Sequence, residues 1–500
     1  TVANHGFENC DSDTSIVENG TFFNNRQYFP SFGYDDSGEL QDPNERRKHG
    51  LPPVHRFAKV DDLFARRNTY IASDADWINF ETVVSTSADQ IAMAPGYLQK
   101  EWTEGNRRYF HYKMDAPILH FYSYLSARYE VRRDAWNGVA IEVYYHKPHT
   151  YNLDRMIAAV KKSLDYYTTN FGPYQHRQVR IVEFPRYATF AQSFPNTIPY
   201  SESLGFIARL KEDDKDAIDY PFYVTAHEVA HQWWAHQTIG GNVQGCTLLS
   251  ESLSQYAALM VMEKEYGPEK MRRFLKYELD NYLRNRGTEL VEEMPLQLVE
   301  NQGYIHYRKG SVIMYALRDF IGEGVLNKVL ARFLAATRFQ QPPYTNSLEL
   351  MAELAKDVPA DKQGLLDDMF RTITLFENHA EDSTYTRRAD GKYVVTVNAK
   401  AKKLRANGQG VETEVPLDDW IDIGVFADAT VAGKTEEKPL YLGKHHVTGH
   451  DVKVEVVVAE KPERVGIDPY NKLVDRKSDD NVKTVKESST PGAAGPAGRG

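Results

Sequence analysis

Cysteine is nearly absent from this chain: only Cys10 and Cys246 carry thiols among 500 residues. Two thiols so far apart form neither a disulfide framework nor a CxxC pair. They exclude a disulfide-stapled scaffold and say nothing about compartment. Long apolar runs are missing too, and no window holds the roughly 18 apolar residues of a membrane span. Positive charge is not in excess. The formal net charge of -10 leans away from nucleic acid, which favours a basic face. No internal repeat and no signal peptide is visible. Residue 1 is Thr rather than Met, which predicts a start inside a longer precursor.

What is present is ordinary globular material, 41% hydrophobic and 26% charged. The length suits roughly three domains at about 150 residues each. Residues 1–145 read as a β-rich domain. Trp77 to Ser85, Arg107 to Lys113 and Val139 to His146 are β-branched or aromatic runs, punctuated by Pro95-Gly96, Glu104-Gly105-Asn106 and Asn137-Gly138. Residues 146–378 read as helix-rich. Asn152 is placed to cap a helix carrying Met156, Ile157, Val160 and Leu164 at three- and four-residue spacing. Further helices are expected at 221–237, 251–266, 268–285, 309–322 and 325–338. Residues 379–484 return to a period of two, with strands expected at 392–399, 420–427 and 452–458, as in a small β-sandwich. Residues 485–500, rich in Gly, Ala, Pro and Ser, read as a disordered tail. The fold class expected is therefore α+β and multidomain.

The helix-rich segment holds the sequence His227-Glu228-Val229-Ala230-His231. Two His four apart lie on one helix face, so both imidazoles can converge on one cation. Glu228, beside the first His, can reach the open metal position without ligating. Its expected role is to take a proton from the attacking water and pass it to the leaving amine. Nineteen residues, 232 to 250, separate His231 from Glu251. Glu251 is placed at the start of a second helix that Ser250 can cap and Gly267 can end. Two His and one Glu leave a Zn2+ coordination position open, the arrangement of a catalytic site. Val229, Ala230, Trp233 and Trp234 argue against an exposed charged surface helix. His236 sits at the wrong spacing for a further ligand and reads as a packing residue.

These residues resemble the alanyl-aminopeptidase family of zinc metallopeptidases. HEVAHQWW at His227 to Trp234 is close to its HExxHxW signature. Tyr307-Arg308-Lys309-Gly310 matches its YxKG element, which implies that Tyr307 stabilises the oxyanion. Phe171-Gly172-Pro173-Tyr174 and Val182 to Tyr187 resemble further family stretches. The family implies a β-rich N-terminal domain, a thermolysin-like catalytic domain and a β-sandwich. Ala191 to Phe194, Ile198 to Glu202 and Gly466 to Lys472 look like the peptidase domain that some bacterial membrane proteins carry fused to ABC-type permease segments. That resemblance implies an extracytoplasmic domain beside a permease, acting on peptides and not on nucleic acid.

Three departures stand out. The spacing to Glu251 is one residue longer than the family's, which a bulge or longer loop around Gly240-Gly241 is expected to absorb. The GxMEN exopeptidase motif is missing, and Ser193 falls on its glutamate. Either another carboxylate reads the substrate's free amine, with Glu202 and Glu18 the candidates, or the amine is not read; Gln192 joins this substrate-binding group. The helical C-terminal domain of many members is also absent, which implies a more open cleft. The expected function is release of N-terminal residues from peptides. A zinc endopeptidase and a non-catalytic transporter-associated sensor are the alternatives, the latter at odds with the intact His227, Glu228, His231, Glu251 and Tyr307.

Overall fold

The computed structural model describes residues 15–33, 39–54, 56–210, 217–431 and 434–488. Cys10 and most of the 485–500 tail lie outside them. The chain divides into two compact units, residues 1–273 with 294–371 and residues 274–293 with 372–500. No described helix is long and apolar enough to cross a membrane.

The first unit opens with short antiparallel sheets. Thr21–Asn24 and Ile91–Met93 flank Ser123–Ala127, and Glu81–Ser87 and Tyr97–Glu104 flank Arg107–Lys113. The strand expected from Trp77 to Ser85 is two strands. Trp77–Ile78 pairs with Ile118–Leu119, and Glu81–Ser87 pairs elsewhere. Between them Phe80 turns into an apolar cluster with Phe110 and Tyr112, and that burial breaks the ribbon.

A four-stranded sheet follows, built from β1 (Glu130–Trp136), β2 (Val139–Tyr145), β3 (Gln178–Phe184) and β4 (Thr197–Ser201). Its order is β4-β3-β2-β1, with β2, β3 and β4 parallel and β1 antiparallel. Residues 191–194 fold back along β4 through the antiparallel bridges Ala191↔Tyr200 and Phe194↔Thr197. Helix α1 (Leu153–Asn170) buries Met156, Ile157, Val160 and Leu164, the stripe its spacing predicts. Asn152 does not cap it through its side chain. Its amide instead donates to the carbonyls of Gly205 and Ala208 at 2.6 and 2.8 Å, a stronger claim on a buried amide than one more cap bond.

Helix α2 (Tyr220–Ala230) starts at Asp219, whose carboxylate accepts from the Phe222 N–H at 3.0 Å, with Pro221 in the first turn. It ends at Ala230, not at 237 as expected. Beyond it Gln232 and Trp233 donate to carbonyls three residues back. The cause is burial of both Trp233 and Trp234, which tightens the chain into turns. Helix α3 (Leu253–Tyr266) is buried at every residue from Leu253 to Met262 and ends at Gly267, whose φ is +84°. Helix α4 (Gly310–Ile321) follows.

The second unit carries a six-stranded and a four-stranded sheet. Alternate residues of Tyr393–Ala406 and Asp419–Val431, among them Val395, Val397, Ile421, Ile423 and Val425, share one core. The Gly466 to Lys472 stretch acts structurally here. The Asp468 carboxylate accepts from the N–H groups of Lys472 and Leu473, each at 3.0 Å, and Lys472 Nζ donates to Asp422 at 2.7 Å. The whole is a mixed α/β chain: β-rich first, helical in the middle, sheets at the end.

Candidate active site

Helix α2 carries His227 on its last turn, and His231 is the residue at its end. Their Nε2 atoms lie 2.9 Å apart. Glu251 Oε2 stands 3.3 Å from the first and 3.2 Å from the second. Donor atoms about 2.0 Å from a tetrahedral cation are separated by about 3.3 Å, so the trio has the dimensions of a Zn2+ site. The tautomer agrees. His231 Nδ1 lies 3.0 Å from the Trp234 carbonyl. A carbonyl can only accept, so Nδ1 carries the hydrogen and Nε2 keeps its lone pair for the metal. The tight turns after Ala230 are what bring that carbonyl within reach.

Two oxygens point the same way. Glu251 Oε2 and Glu228 Oε2 are buried without a hydrogen-bond partner. Unsatisfied buried carboxylate oxygens are costly, and a cation at the trio removes the cost for Glu251. Burial lifts the Glu228 carboxyl to about 7, in the range where a general base works.

Glu251 does not begin an α-helix capped by Ser250. It sits on a π-helical turn, Leu248–Ser252, that leads into α3. A π turn holds one residue more than an α turn. A π turn directly beside the ligand is one place where the extra residue of the spacing can be taken up. Tyr307 lies on a second π turn, Tyr304–Lys309, just before α4. The two turns lock together: Ser252 Oγ donates to the His306 carbonyl at 2.6 Å. A Cβ on Gly310 would stand 2.4 Å from that Oγ, so the glycine after Lys309 is required by this contact. Tyr307 lies obliquely against His227, ring centroids 6.0 Å apart. Burial, with the charges of Glu251 and Glu228, holds the phenol well above its ordinary range. It therefore stays protonated and able to donate.

The peptidase family M1 domain model matches the chain across this region. The match runs over residues 152–368. M1 enzymes are zinc metallopeptidases, and Zn2+ is the ion that fits His227, His231 and Glu251. Human endoplasmic reticulum aminopeptidase 2 is 24% identical over 213 residues, 40% of this chain and 21% of that protein. Probable aminopeptidase 1 of Sulfurisphaera tokodaii is 26% identical over 195 residues, 37% of this chain and 24% of that protein. The chain thus spans less than a quarter of either relative. Aminopeptidase A of Legionella pneumophila, crystallised in complex with aspartic acid, shares the fold at a TM-score of 0.52 and 14% identity, over 84% of this chain and 46% of that one.

Around the metal trio the substrate-binding candidates are placed unevenly. Ser193 Oγ accepts from Gln232 Nε2 at 2.6 Å, and its carbonyl accepts from His236 Nε2 at 2.9 Å. Ser193 therefore staples the segment along β4 to the residues just after His231. His236 is no ligand, and burial pushes its imidazole down to about 4. Gln192 is half-buried on the same segment, its N–H on the Pro199 carbonyl at 3.1 Å. Glu202 follows β4, 3.9 Å from His149 Nδ1 and 3.9 Å from Arg186 Nε. With His149 and Glu183 it forms a second His–carboxylate cluster. Glu18 is 88% exposed and faces Arg128 at 3.3 Å. The structure thus gathers His227, Glu228, His231, Glu251 and Tyr307 and leaves Glu202 and Glu18 paired with cations of their own. Sequence reading missed Tyr70, Ser252, His306 and Gln232. Gln232, Ser252 and His306 each adjoin a named site residue in sequence, whereas Tyr70 carried no positional signal.

Proposed function

We propose that this chain hydrolyses peptide bonds. The observation that carries the reading is the convergence of three metal donors with one orphaned carboxylate, Glu228, and one protonated phenol, Tyr307. Zn2+, when bound, polarises the scissile carbonyl and makes water more acidic. The residues do the rest. His231 is held in its donor tautomer by the Trp234 carbonyl. Glu228 takes the proton of the attacking water, its raised affinity for protons suiting it to that step, and returns the proton to the leaving amine. Tyr307, its phenol kept protonated chiefly by burial, donates to the oxygen that gains negative charge.

Release of N-terminal residues is the reading favoured by the aminopeptidase relatives. A second reading, cleavage within the chain, is favoured by Ser193. Its neutral hydroxyl is already engaged by Gln232, and a desolvated substrate ammonium without a carboxylate is costly. A peptide library offered with free and with N-acetylated termini, products sequenced, tests both. Loss of single N-terminal residues from free peptides only is the expected result. Equal cleavage of both sets makes the enzyme an endopeptidase, and no cleavage of either contradicts the proposal.

A further inference from the structure

The two residues that flank the metal ligand Glu251, Ser250 and Ser252, are both buried, and each hydroxyl is tied to a different part of the first unit. Ser252 Oγ reaches the His306 carbonyl on the Tyr307 turn. Ser250 Oγ accepts from the Tyr70 hydroxyl at 2.9 Å. We propose that Tyr70 is a positioning residue for the metal centre, pinning through Ser250 the π turn that presents the Glu251 carboxylate.

A π turn needs such help. Its hydrogen bonds are poorer than those of an α turn, and it persists where the surroundings hold it. The turn Leu248–Ser252 has no side-chain cap of its own. A carboxylate free to swing by a fraction of an ångström would lose the tetrahedral spacing to the two imidazoles. Outer partners of ligands commonly govern metal affinity through orientation alone.

Tyr70 is well placed for the task because its own position does not depend on its hydroxyl. Its N–H donates to the Gly240 carbonyl at 3.2 Å, and Thr69 bridges Gly241. Close by, Arg66 Nε donates to the Tyr344 carbonyl at 2.7 Å, and a Cβ on Gly241 would lie 3.0 Å from Arg66 Cα. The segment 66–70 is therefore registered on the loop that joins His231 to Glu251. The ring lies within electrostatic reach of both Glu251 and Tyr307. Loop and turn are thus held by one residue that precedes the M1 domain in sequence.

The inference rests on the zinc-site reading of His227, His231 and Glu251, and its test reads metal rather than turnover. The zinc dissociation constant of the wild type, Tyr70→Phe, Ser250→Ala and the double variant is measured by competition with a chromogenic chelator, with unfolding temperature as the folding control. Tyr70→Phe should weaken zinc binding by roughly 10-fold or more. Ser250→Ala should do the same, and the double variant should lose no more than either single one, as for two halves of one contact. Tyr70→Phe holding zinc within about twofold of wild type overturns the inference, as do losses that multiply in the double variant. Kinetics of Glu228→Gln judge the hydrolytic reading separately, since that variant leaves the Tyr70–Ser250 contact intact.

Discussion

At the scale of single residues, the proposed chemistry is divided between a base, Glu228, and a donor, Tyr307. Tyr307→Phe removes only the donor. It should lower kcat by about 10²- to 10³-fold while KM moves little, because the oxyanion exists only in the transition state. Steady-state kinetics on one cleavable peptide decides this. A pure rise in KM would place Tyr307 in substrate binding instead. Glu183 offers a second residue-level expectation, one of stability. Burial raises its carboxyl to about 7 against an ordinary 4.5. The folded protein therefore binds a proton here that the unfolded chain has released. The stabilisation is complete below about pH 4.5 and is lost as pH climbs toward about 7. Glu183→Gln should remove this part of the fall, visible as a flatter Tm-against-pH curve than the wild type's. The grouping of His227, Glu228, His231 and Glu251 was legible in the sequence because metal chemistry fixes residue type and spacing together, whereas Tyr307 was marked only by the resemblance of Tyr307-Arg308-Lys309-Gly310 to the family's YxKG element. Tyr70 was not legible, since it stands 180 residues before the hydroxyl it meets and no local pattern marks that contact.

At the scale of elements, the site depends on how α2 begins and how two π turns meet. Asp219 accepts from the Phe222 N–H and also bonds Arg155 and Tyr266. Asp219→Ala should cost about 1–2 kcal/mol for the lost cap, measured by urea unfolding, with fraying at the amino end of the metal helix. Gly310→Ala should be worse for activity than for fold. Its Cβ would press on Ser252, at a cost of about 1–3 kcal/mol for overpacking, and would push apart the turns carrying Glu251 and Tyr307. A Gly310→Ala enzyme with wild-type kcat would show that the Ser252 contact does not set the site. The sequence pattern predicted α1, α3 and α4 within a few residues, because each buries a continuous stripe or is buried throughout. It overran α2, since the turns after Ala230 arise from the packing of Trp233 and Trp234 rather than from any breaker. It mistook Ser250 for a cap, since a π turn and a capped helix start look alike in residue type. The break at Phe80 and the side-chain role of Asn152 were likewise set by distant partners.

At the scale of the whole molecule, the order of β-rich, helical and β segments was readable from the change of hydrophobic period. The division into two compact units was not, because residues 274–293 join the later strands despite lying within the helical stretch. His227, His231 and Glu251, with Glu228 and Tyr307, all lie in the first unit. Stripping the metal with a chelator should lower the unfolding temperature, and readding zinc should restore it, because ion binding to the folded state alone stabilises that state. The most direct test of the central claim is Glu228→Gln, assayed for bound zinc and for peptide hydrolysis in one preparation. The account predicts about one zinc per chain and turnover reduced by about 10²- to 10⁴-fold. Hydrolysis at the wild-type rate would contradict it.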